Sequence, residues 1–234
     1  MPVKRSYSQV TPGGSGTRKR KKARTTRYNN GVARTSMLSA DHKILSASKI
    51  VTMRYSEQFT VDASALDVPG SYIFSANGLH DPNITGTGHQ PRGYDQLMTM
   101  YRHYEVLEAL IEVWADPNDL TNSGLLSLSV RSSNSPVALR TNMIEHRTAI
   151  TKAFAGSNGG PGVIYHKIAC KPGEFLGLKN DDTVRGAVGF NPASPVYFHV
   201  NTLPISSTDQ GPVHCQARIT YKVKLSEPKE PVPS

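Results

Sequence analysis

The chain has 234 residues, and its 27 basic and 18 acidic residues give a formal net charge of +9. This length suits one large domain or two small ones, and it allows a substantial buried core. We expect no transmembrane helix, because no run of about 18 apolar residues occurs, and no secretory signal peptide, because no apolar stretch follows the first charges. Only two cysteines are present, Cys170 and Cys215, which excludes a disulfide scaffold and a Cys-rich zinc module and predicts free thiols.

The first residues of the chain carry its whole charge imbalance. Residues 1–34 contain ten basic residues and no acidic one, whereas residues 35–234 contain 17 basic and 18 acidic residues. Residues 1–34 also contain few large apolar side chains, so they cannot bury enough surface to offset the entropy of ordering. We therefore predict a disordered basic arm over residues 1–40.

Such an arm is suited to bind nucleic acid without reading its sequence, because each phosphate that it neutralises releases condensed counterions. The residues expected to do so are Lys4, Arg5, Arg18, Lys19, Arg20, Lys21, Lys22, Arg24, Arg27 and Arg34. The run formed by Arg18, Lys19, Arg20, Lys21 and Lys22 is typical of a nuclear localisation signal. Tyr7 and Tyr28 are suited to stack on unpaired bases. The alternatives are a solvated tail that only aids solubility and a segment that serves only as a nuclear import signal.

Alternation of apolar and polar residues predicts strands in the remainder of the chain. Residues 213–225 alternate without a break, and residues 51–61 repeat the pattern. Glu57 interrupts the apolar face of the second run, where we expect a bulge or a bend. Shorter predicted strands lie at residues 72–76, 125–131, 163–170, 187–190 and 196–201.

Residues 104–115 fit two kinds of structure. Leu107, Leu110, Ile111 and Trp114 form a helical stripe. As a strand, alternate residues from 107 to 115 form an unbroken apolar face, and predicted strands flank the segment on both sides. We favour the strand. Short helices are predicted at residues 94–101 and 142–154.

Eight strands with turn-rich connections indicate an all-β fold. We predict a single eight-stranded antiparallel jelly roll over residues 41–228, followed by a Pro-rich tail at residues 229–234. Two connections, at residues 77–102 and 132–162, are longer than ordinary loops. We expect them to carry function or contacts.

The first of these connections contains a sequence motif that resembles one in capsid proteins of circular Rep-encoding single-stranded DNA viruses. These viruses include circovirus-like viruses. The residues that carry the resemblance are Asn77-Gly78, Asp81-Pro82-Asn83, Gly86, Gly88-His89-Gln90-Pro91, Gly93-Tyr94-Asp95-Gln96, Tyr101 and Tyr104. The resemblance implies a capsid protein that self-assembles into a T=1 icosahedral shell of sixty subunits with the basic arms inside.

The resemblance also implies partners and places of action. The expected partners are further copies of the chain, a circular single-stranded DNA genome and a host nuclear import receptor, without membrane insertion. The expected locations are the virion and the host nucleus. Sixty arms with ten positive charges each would place roughly 600 charges inside the shell, which offsets a large part of a small genome's phosphates.

Glycines and prolines in the same motif predict an ordered loop of fixed shape. Gly86, Gly88 and Gly93 are expected to adopt backbone conformations that other residues avoid. We favour a subunit-contact role for this loop, and the alternative is packing over one edge of its own sandwich. The residues proposed for the contact are Asp81, Pro82, Gly88, His89, Gln90 and Pro91.

No constellation in the chain predicts catalysis. His80, Asp81 and His89 match no standard zinc spacing, and no nucleophile signature surrounds His166 and Cys170. We therefore expect a protein that is not an enzyme, with no catalytic residues, no metal and no cofactor. The alternatives to a DNA-packaging capsid protein are the coat protein of a small RNA virus, a cellular nucleic-acid-binding protein with a basic tail, and a hydrolase built on a β-sandwich.

Overall fold

The computed structural model describes residues 45–63, 67–116, 123–155, 163–206 and 209–230. The predicted arm over residues 1–40, with its ten basic residues and its localisation signal, lies outside the described residues. The same is true of residues 231–234 of the predicted Pro-rich tail.

Within the described ranges the chain forms mostly strands. Numbered in chain order, these are β1 (Ser48–Val61), β2 (Gly70–Ser75), β3 (Tyr101–Asp116), β4 (Gly124–Arg131), β5 (Ile150–Phe154), β6 (Ile164–Cys170), β7 (Arg185–Ala187), β8 (Tyr197–Pro204) and β9 (Val213–Pro228). The helices are short: α1 (Tyr94–Met100), α2 (Arg140–Ile144), α3 (Pro172–Leu176) and a 3-10 turn at Asp182–Val184.

The strands form two antiparallel sheets. The first has the order β1-β9-β3-β6, with the short β7 beside β3, and the second has the order β2-β8-β4-β5. Apart from β7, the strands pair as in one long hairpin that has been rolled up: β1 with β9, β2 with β8, β3 with β6, and β4 with β5. This order is that of a jelly roll. The prediction of an all-β, eight-stranded antiparallel jelly roll is confirmed, with β7 as a short addition.

The core lies between the two sheets and contains several tyrosine and phenylalanine side chains. Alternate residues of β9, from Val213 to Leu225, are all buried, as their period of two predicts. Tyr221 from β9 and Phe198 from β8 are both fully buried. The Tyr221 hydroxyl donates to the backbone oxygen of Ser75 at 2.8 Å, so even its polar atom is satisfied inside the sandwich.

Acidic side chains of β3 lie across from basic or imidazole side chains of β9 on the outer face of the first sheet. Four carboxylates of β3 lie directly across from basic or imidazole side chains of β9: Glu105 and Lys224, Glu108 and Lys222, Glu112 and Arg218, Asp116 and His214. The Arg218–Glu112 pair closes to 2.8 Å. Cross-strand pairs of this kind each favour the observed register by roughly 0.2–1 kcal/mol. The segment at residues 104–115, which also fitted a helix, is a strand, as we favoured, because it pairs with β9 and with β6.

The outer face of the second sheet is covered by the connection between β4 and β5. Val137 and Met143 from this connection pack against Leu203 of β8. His199, also on β8, lies 2.8 Å from the backbone oxygen of Ser133 through its Nε2 atom. Strand β8 is therefore buried on both faces. The connection at residues 132–162 thus covers the outer face of the second sheet, and it also contains strand β5.

Two predicted elements differ in the structure. The helix predicted at residues 142–154 is wrong over most of its length, because only α2 is helical and β5 extends along β4 from Leu128 to Gly124. The strand predicted at residues 187–190 is a hairpin turn that follows β7. Ala187 and Phe190 close this turn, and Gly189 adopts a positive φ of 79° that a strand would not contain.

Both cysteines are buried and free, as predicted. Burial raises the pKa of Cys170 and the pKa of Cys215 to about 12, so both thiols stay protonated and unreactive near neutral pH. In the ranges that the structure covers, none of the helices combines the length and apolar character needed to span a bilayer.

Candidate functional site

The loop at residues 77–93, which carries the capsid-like sequence motif, folds back over one open edge of the sandwich. Strands β1 and β2 are the outermost strands of their sheets on this side. After β2 the chain reverses, so that Asn83 forms an antiparallel bridge with Phe74 and the Ser75 amide donates to the Pro82 oxygen at 2.7 Å. An exposed sheet edge is a template for unwanted pairing, and this loop occupies the edge of β2.

Glu57 is the anchor of this loop. Its carboxylate accepts hydrogen bonds from the Asn83 amide at 2.7 Å, from the Tyr72 hydroxyl at 3.3 Å and from the Tyr55 hydroxyl. Burial, reinforced by the Glu57 carboxylate, raises the pKa of Tyr55 and the pKa of Tyr72 above their usual value. These hydroxyls remain protonated donors, which is the form that a carboxylate needs as a partner.

The bulge or bend predicted at Glu57 is absent. Glu57 pairs with Ala217 in a register that continues unbroken through both neighbouring residues. The acidic side chain interrupts the apolar pattern because it reaches donors at the edge of the core, where Asn83 and Tyr72 meet it. The prediction was wrong because a sequence pattern shows only that a polar side chain faces inward. The hydrogen-bond partners of that side chain, Asn83 and Tyr72, lie on other segments of the chain.

Asn83 extends this network along the loop. Its side-chain oxygen accepts from the backbone amide of Thr85 at 3.0 Å and from the Thr85 hydroxyl at 2.9 Å, which forms a tight local turn. Its amide nitrogen also donates to the Tyr72 hydroxyl at 2.9 Å. Asn83 is fully buried, so all its polar capacity is used within the subunit.

Glycines are required in the loop for two different reasons. Gly86 and Gly93 have φ values of 74° and 88°, as predicted for residues that need left-handed backbone. Gly88 is different, because its backbone lies so near the core that a Cβ atom there would be 2.6 Å from the Tyr55 hydroxyl and 2.8 Å from the Asn83 Cβ. The expectation of a special conformation at Gly88 is corrected to one of close approach.

The start of the loop is held by a buried tyrosine of β3. The Tyr104 hydroxyl accepts from the Leu79 amide at 3.1 Å and donates to the Phe190 oxygen at 3.2 Å. Asn191, beside Phe190, accepts from the backbone amides of His80 and Asp81 at 3.2 and 3.4 Å. The loop is therefore tied to the turn after β7, which sequence analysis did not connect with it.

The polar side chains of the loop contact one another and the backbone. The His89 ring lies 4.7 Å from the Tyr55 ring, and its nitrogens lie 2.8 Å from the Gln90 oxygen and 3.1 Å from the Ser56 oxygen. With its amide nitrogen turned towards Asp95 at 2.7 Å, Gln90 accepts from the His80 ring at 2.9 Å. His80 and His89 thus contact different parts of Gln90, its side-chain amide and its backbone oxygen. Across the described ranges no His, Cys, Asp and Glu side chains are grouped to hold a metal ion.

The six residues predicted for a subunit contact lie in this one loop, with different exposure. Pro82 and Pro91 are buried, and Asp81 and Gln90 are half-buried. Gly88 and His89 belong to an exposed tip formed by residues 85–89. Packing over the edge of its own sandwich accounts for the buried members. A contact with a second subunit stays a prediction, and it concerns the exposed tip.

A cleft of about 790 Å³ lies beside this loop, between it and the outer face of β1 and β9. Arg54, Arg92 and Arg218 line it, together with His89 and Asp95. Sequence analysis missed this cleft. The available signal was that Arg54 and Arg218 occupy the polar positions of two alternating strands, but the pairing of those strands was not known.

The one Cys–His pair considered in the sequence has no catalytic geometry. His166 and Cys170 both face inward from β6 and are buried. Burial lowers the pKa of His166 and raises the pKa of Cys170. Both shifts oppose the thiolate–imidazolium pair that a cysteine nucleophile requires.

No protein-family profile matches this sequence, and no curated protein sequence matches it at a significant level. Several solved structures match this chain over most of its length, at low sequence identity. A chain in the structure of Desmodium yellow mottle tymovirus is 14% identical in sequence to this chain, with a TM-score of 0.43. The match covers 82% of this chain and 95% of that one. The decameric BFDV capsid protein is 9% identical with a TM-score of 0.45, over 77% and 99% of the two chains.

A third similar structure is the semi-empty virus-like particle of Macrobrachium rosenbergii nodavirus. It is 16% identical with a TM-score of 0.46, and the match covers 82% of this chain and all of that chain, at 100%. At these identities and TM-scores the similarities do not assign this chain to a family. The jelly-roll fold itself rests on the strand order described above.

Proposed function

We propose that this chain is a viral capsid protein that self-assembles into a small icosahedral shell and packages a circular single-stranded DNA genome through its basic arm. The observation that carries the proposal is the separation of a strongly basic segment from a nearly neutral body along the chain. All of the net positive charge lies in residues 1–34, whereas residues 35–234 balance 17 basic against 18 acidic residues and contain the jelly roll. Jelly rolls are frequent in viral shells, although the fold alone does not define a function.

The charge distribution suits both tasks of such a protein. A nearly neutral body allows many copies to pack side by side without strong mutual repulsion. A basic arm neutralises phosphates without sequence preference, since counterion release supplies the affinity. The resemblance of the loop motif supports the finer parts of the proposal: a T=1 shell of sixty subunits, arms inside the shell, and import into the host nucleus through Arg18, Lys19, Arg20, Lys21 and Lys22.

The loop over the β1–β2 edge has a defined part in this proposal. Its buried half is held by Glu57 and Tyr104, so the exposed tip at residues 85–89 has a fixed position on the subunit. A fixed surface loses little conformational entropy when it binds a neighbour. We assign this tip, with Gly88 and His89, to a contact between subunits.

Deletion of residues 1–34 tests the proposal. The truncated protein is expected to fold and to form particles, because all the strands of the described residues lie beyond residue 34, from Ser48 onwards. The ratio of absorbance at 260 and 280 nm of these particles is expected to fall to that of protein alone. Digestion of the nucleic acid from full-length particles with DNase or RNase identifies its type, because the chemistry of the arm suits either polymer.

The matched variant replaces Arg18, Lys19, Arg20, Lys21 and Lys22 with glutamine. In this variant the salt dependence of oligonucleotide binding is expected to weaken by about 3 to 4 units of slope, at roughly 0.7 per phosphate contact. Nuclear accumulation is expected to disappear in the same variant. Truncated particles that still carry a full load of nucleic acid would contradict the role of the arm.

A further inference from the structure

Three arginines converge at the cleft between the loop and the first sheet. Arg54 of β1 and Arg92 are exposed, and the Arg92 amide donates to the Arg54 oxygen at 3.3 Å. Arg218 of β9 lies opposite Ser56, two residues along β1 from Arg54, on the same outer face. Residues in this diagonal relation lie about 7–8 Å apart, so the three side chains border one space.

The positive charge at this cleft is only partly balanced. Arg218 is paired with Glu112 at 2.8 Å, but neither Arg54 nor Arg92 forms an ion pair within the part of the chain that the structure describes. Asp95 is the carboxylate in the lining, and it carries one negative charge beside these arginines. Arg54 and Arg92 together outnumber it, so the cleft keeps an excess of positive charge that favours an anion, and the planar guanidinium matches phosphate geometry.

An aromatic pair lies beside the arginines on the same face. The Arg218 guanidinium lies 5.2 Å from the Trp114 ring centre, and the Trp114 and Tyr165 rings are 5.4 Å apart. Tyr165 keeps 38% of its surface exposed, and Trp114 is half-buried. Arg218 lines the cleft and also contacts Trp114, so the arginines and the aromatic pair adjoin at this residue. Proteins bind single-stranded nucleic acid with such a combination, because phosphates meet the cations and bases stack on the rings.

We propose that this cleft binds the backbone of single-stranded nucleic acid, with a phosphate between Arg54 and Arg92 and a base against Trp114 and Tyr165. The inference rests on the proposed function and deepens it. It gives the nearly neutral body its own contact with the packaged polymer, separate from the arm. The arm supplies affinity, and the cleft holds a short stretch of the strand at a defined place on each subunit.

Photochemical crosslinking of the full-length protein tests this site. An oligonucleotide containing 5-iodouracil is bound, irradiated and digested, and crosslinked peptides are identified by mass spectrometry. We expect crosslinks at Trp114 or Tyr165 in addition to those in residues 1–34. The double variant Arg54→Gln and Arg92→Gln is expected to reduce the Trp114 and Tyr165 crosslinks by about fivefold or more, because two charge-assisted contacts are lost.

A matched control is Lys222→Gln, which removes an exposed lysine from the outer face of the same sheet, across from Glu108. It is expected to leave the crosslinks unchanged. Both variants alter exposed side chains, and equal unfolding temperatures would establish that they fold normally. Absence of crosslinks at Trp114 and Tyr165, or crosslinks that persist in the double variant, would overturn the proposal.

Competition separates nucleic acid from other polyanions. An intact unlabelled oligonucleotide is expected to suppress the Trp114 and Tyr165 crosslinks better than an abasic one of equal length, because base stacking contributes. If a sulfated oligosaccharide and the abasic strand compete as well as the intact one, the cleft is a general anion site and the assignment to nucleic acid is wrong.

The variant with glutamine at residues 18–22 distinguishes this inference from the role of the arm. It is expected to lower the total amount of bound oligonucleotide while the cleft crosslinks per bound strand stay constant. Normal total binding in this variant, with cleft crosslinks intact, would contradict the arm and leave the cleft standing. Reduced total binding with no cleft crosslinks in any variant would contradict the cleft and leave the role of the arm standing.

Discussion

Replacing Glu57 with alanine removes the anchor of the loop over the β1–β2 edge. The change removes the acceptor of the Tyr55 hydroxyl and of the Tyr72 hydroxyl, and one of the two acceptors of the Asn83 amide. A buried group that loses its partner costs about 1–3 kcal/mol. Water reaches this edge in part, since Glu57 and Tyr72 are only half-buried, so we expect a total loss of about 2–4 kcal/mol.

The assay is thermal unfolding combined with hydrogen exchange. At about 2–4 °C for each kcal/mol in a domain of this size, the Glu57→Ala variant is expected to melt roughly 4–16 °C below the parent protein. Amides of residues 77–93 are expected to exchange faster, because the loop loses its attachment to β1.

The control is Gln58→Ala, at the neighbouring position of β1, whose side chain is exposed on the outer face. We expect it to change stability by less than about 0.5 kcal/mol. If the Glu57 and Gln58 variants melt together and the loop keeps its protection, then Glu57 does not anchor the loop and the reasoning fails.

Three further predictions concern the core. Phe198→Ala is expected to cost about 3–5 kcal/mol and Lys222→Ala less than about 0.5 kcal/mol, and equal melting temperatures would refute the assignment of their faces. Thiol titration in denaturant is expected to return two free thiols, from Cys170 and Cys215, and a count of zero would establish a disulfide. Burial lowers the pKa of His199 to about 4, so stability from its neutral ring is present above about pH 6.5 and falls as the pH drops towards 4; a His199→Gln variant that keeps the same pH dependence of melting would contradict this.

Strands whose two faces differ could be predicted from the sequence. Strand β9 alternates throughout because one face meets the core and the other meets solvent and β3 carboxylates. Strand β5 escaped prediction because it is a short edge strand with a single buried residue, Phe154. Strand β8 was found only in part, since the connection with Val137 and Met143 covers its second face and extends the burial to residues that alternation predicts as exposed.

The loop illustrates what single-sequence reasoning could and could not find. Its existence and its need for glycine at positions 86 and 93 follow from local chemistry. Its attachments do not, because Glu57, Tyr104 and Asn191 lie on other elements, and long-range partners leave no local pattern. The basic cleft was missed for the same reason: Arg54 and Arg218 become neighbours only through the pairing of β1 with β9.

Particle formation by the purified full-length protein tests the capsid assignment most directly. Sedimentation velocity and electron microscopy are expected to show closed icosahedral particles, and sixty copies of a 25.5 kDa chain correspond to about 1.5 MDa of protein. A uniform population of monomers or small oligomers, under conditions of salt and nucleic acid that permit assembly, would contradict the proposed function.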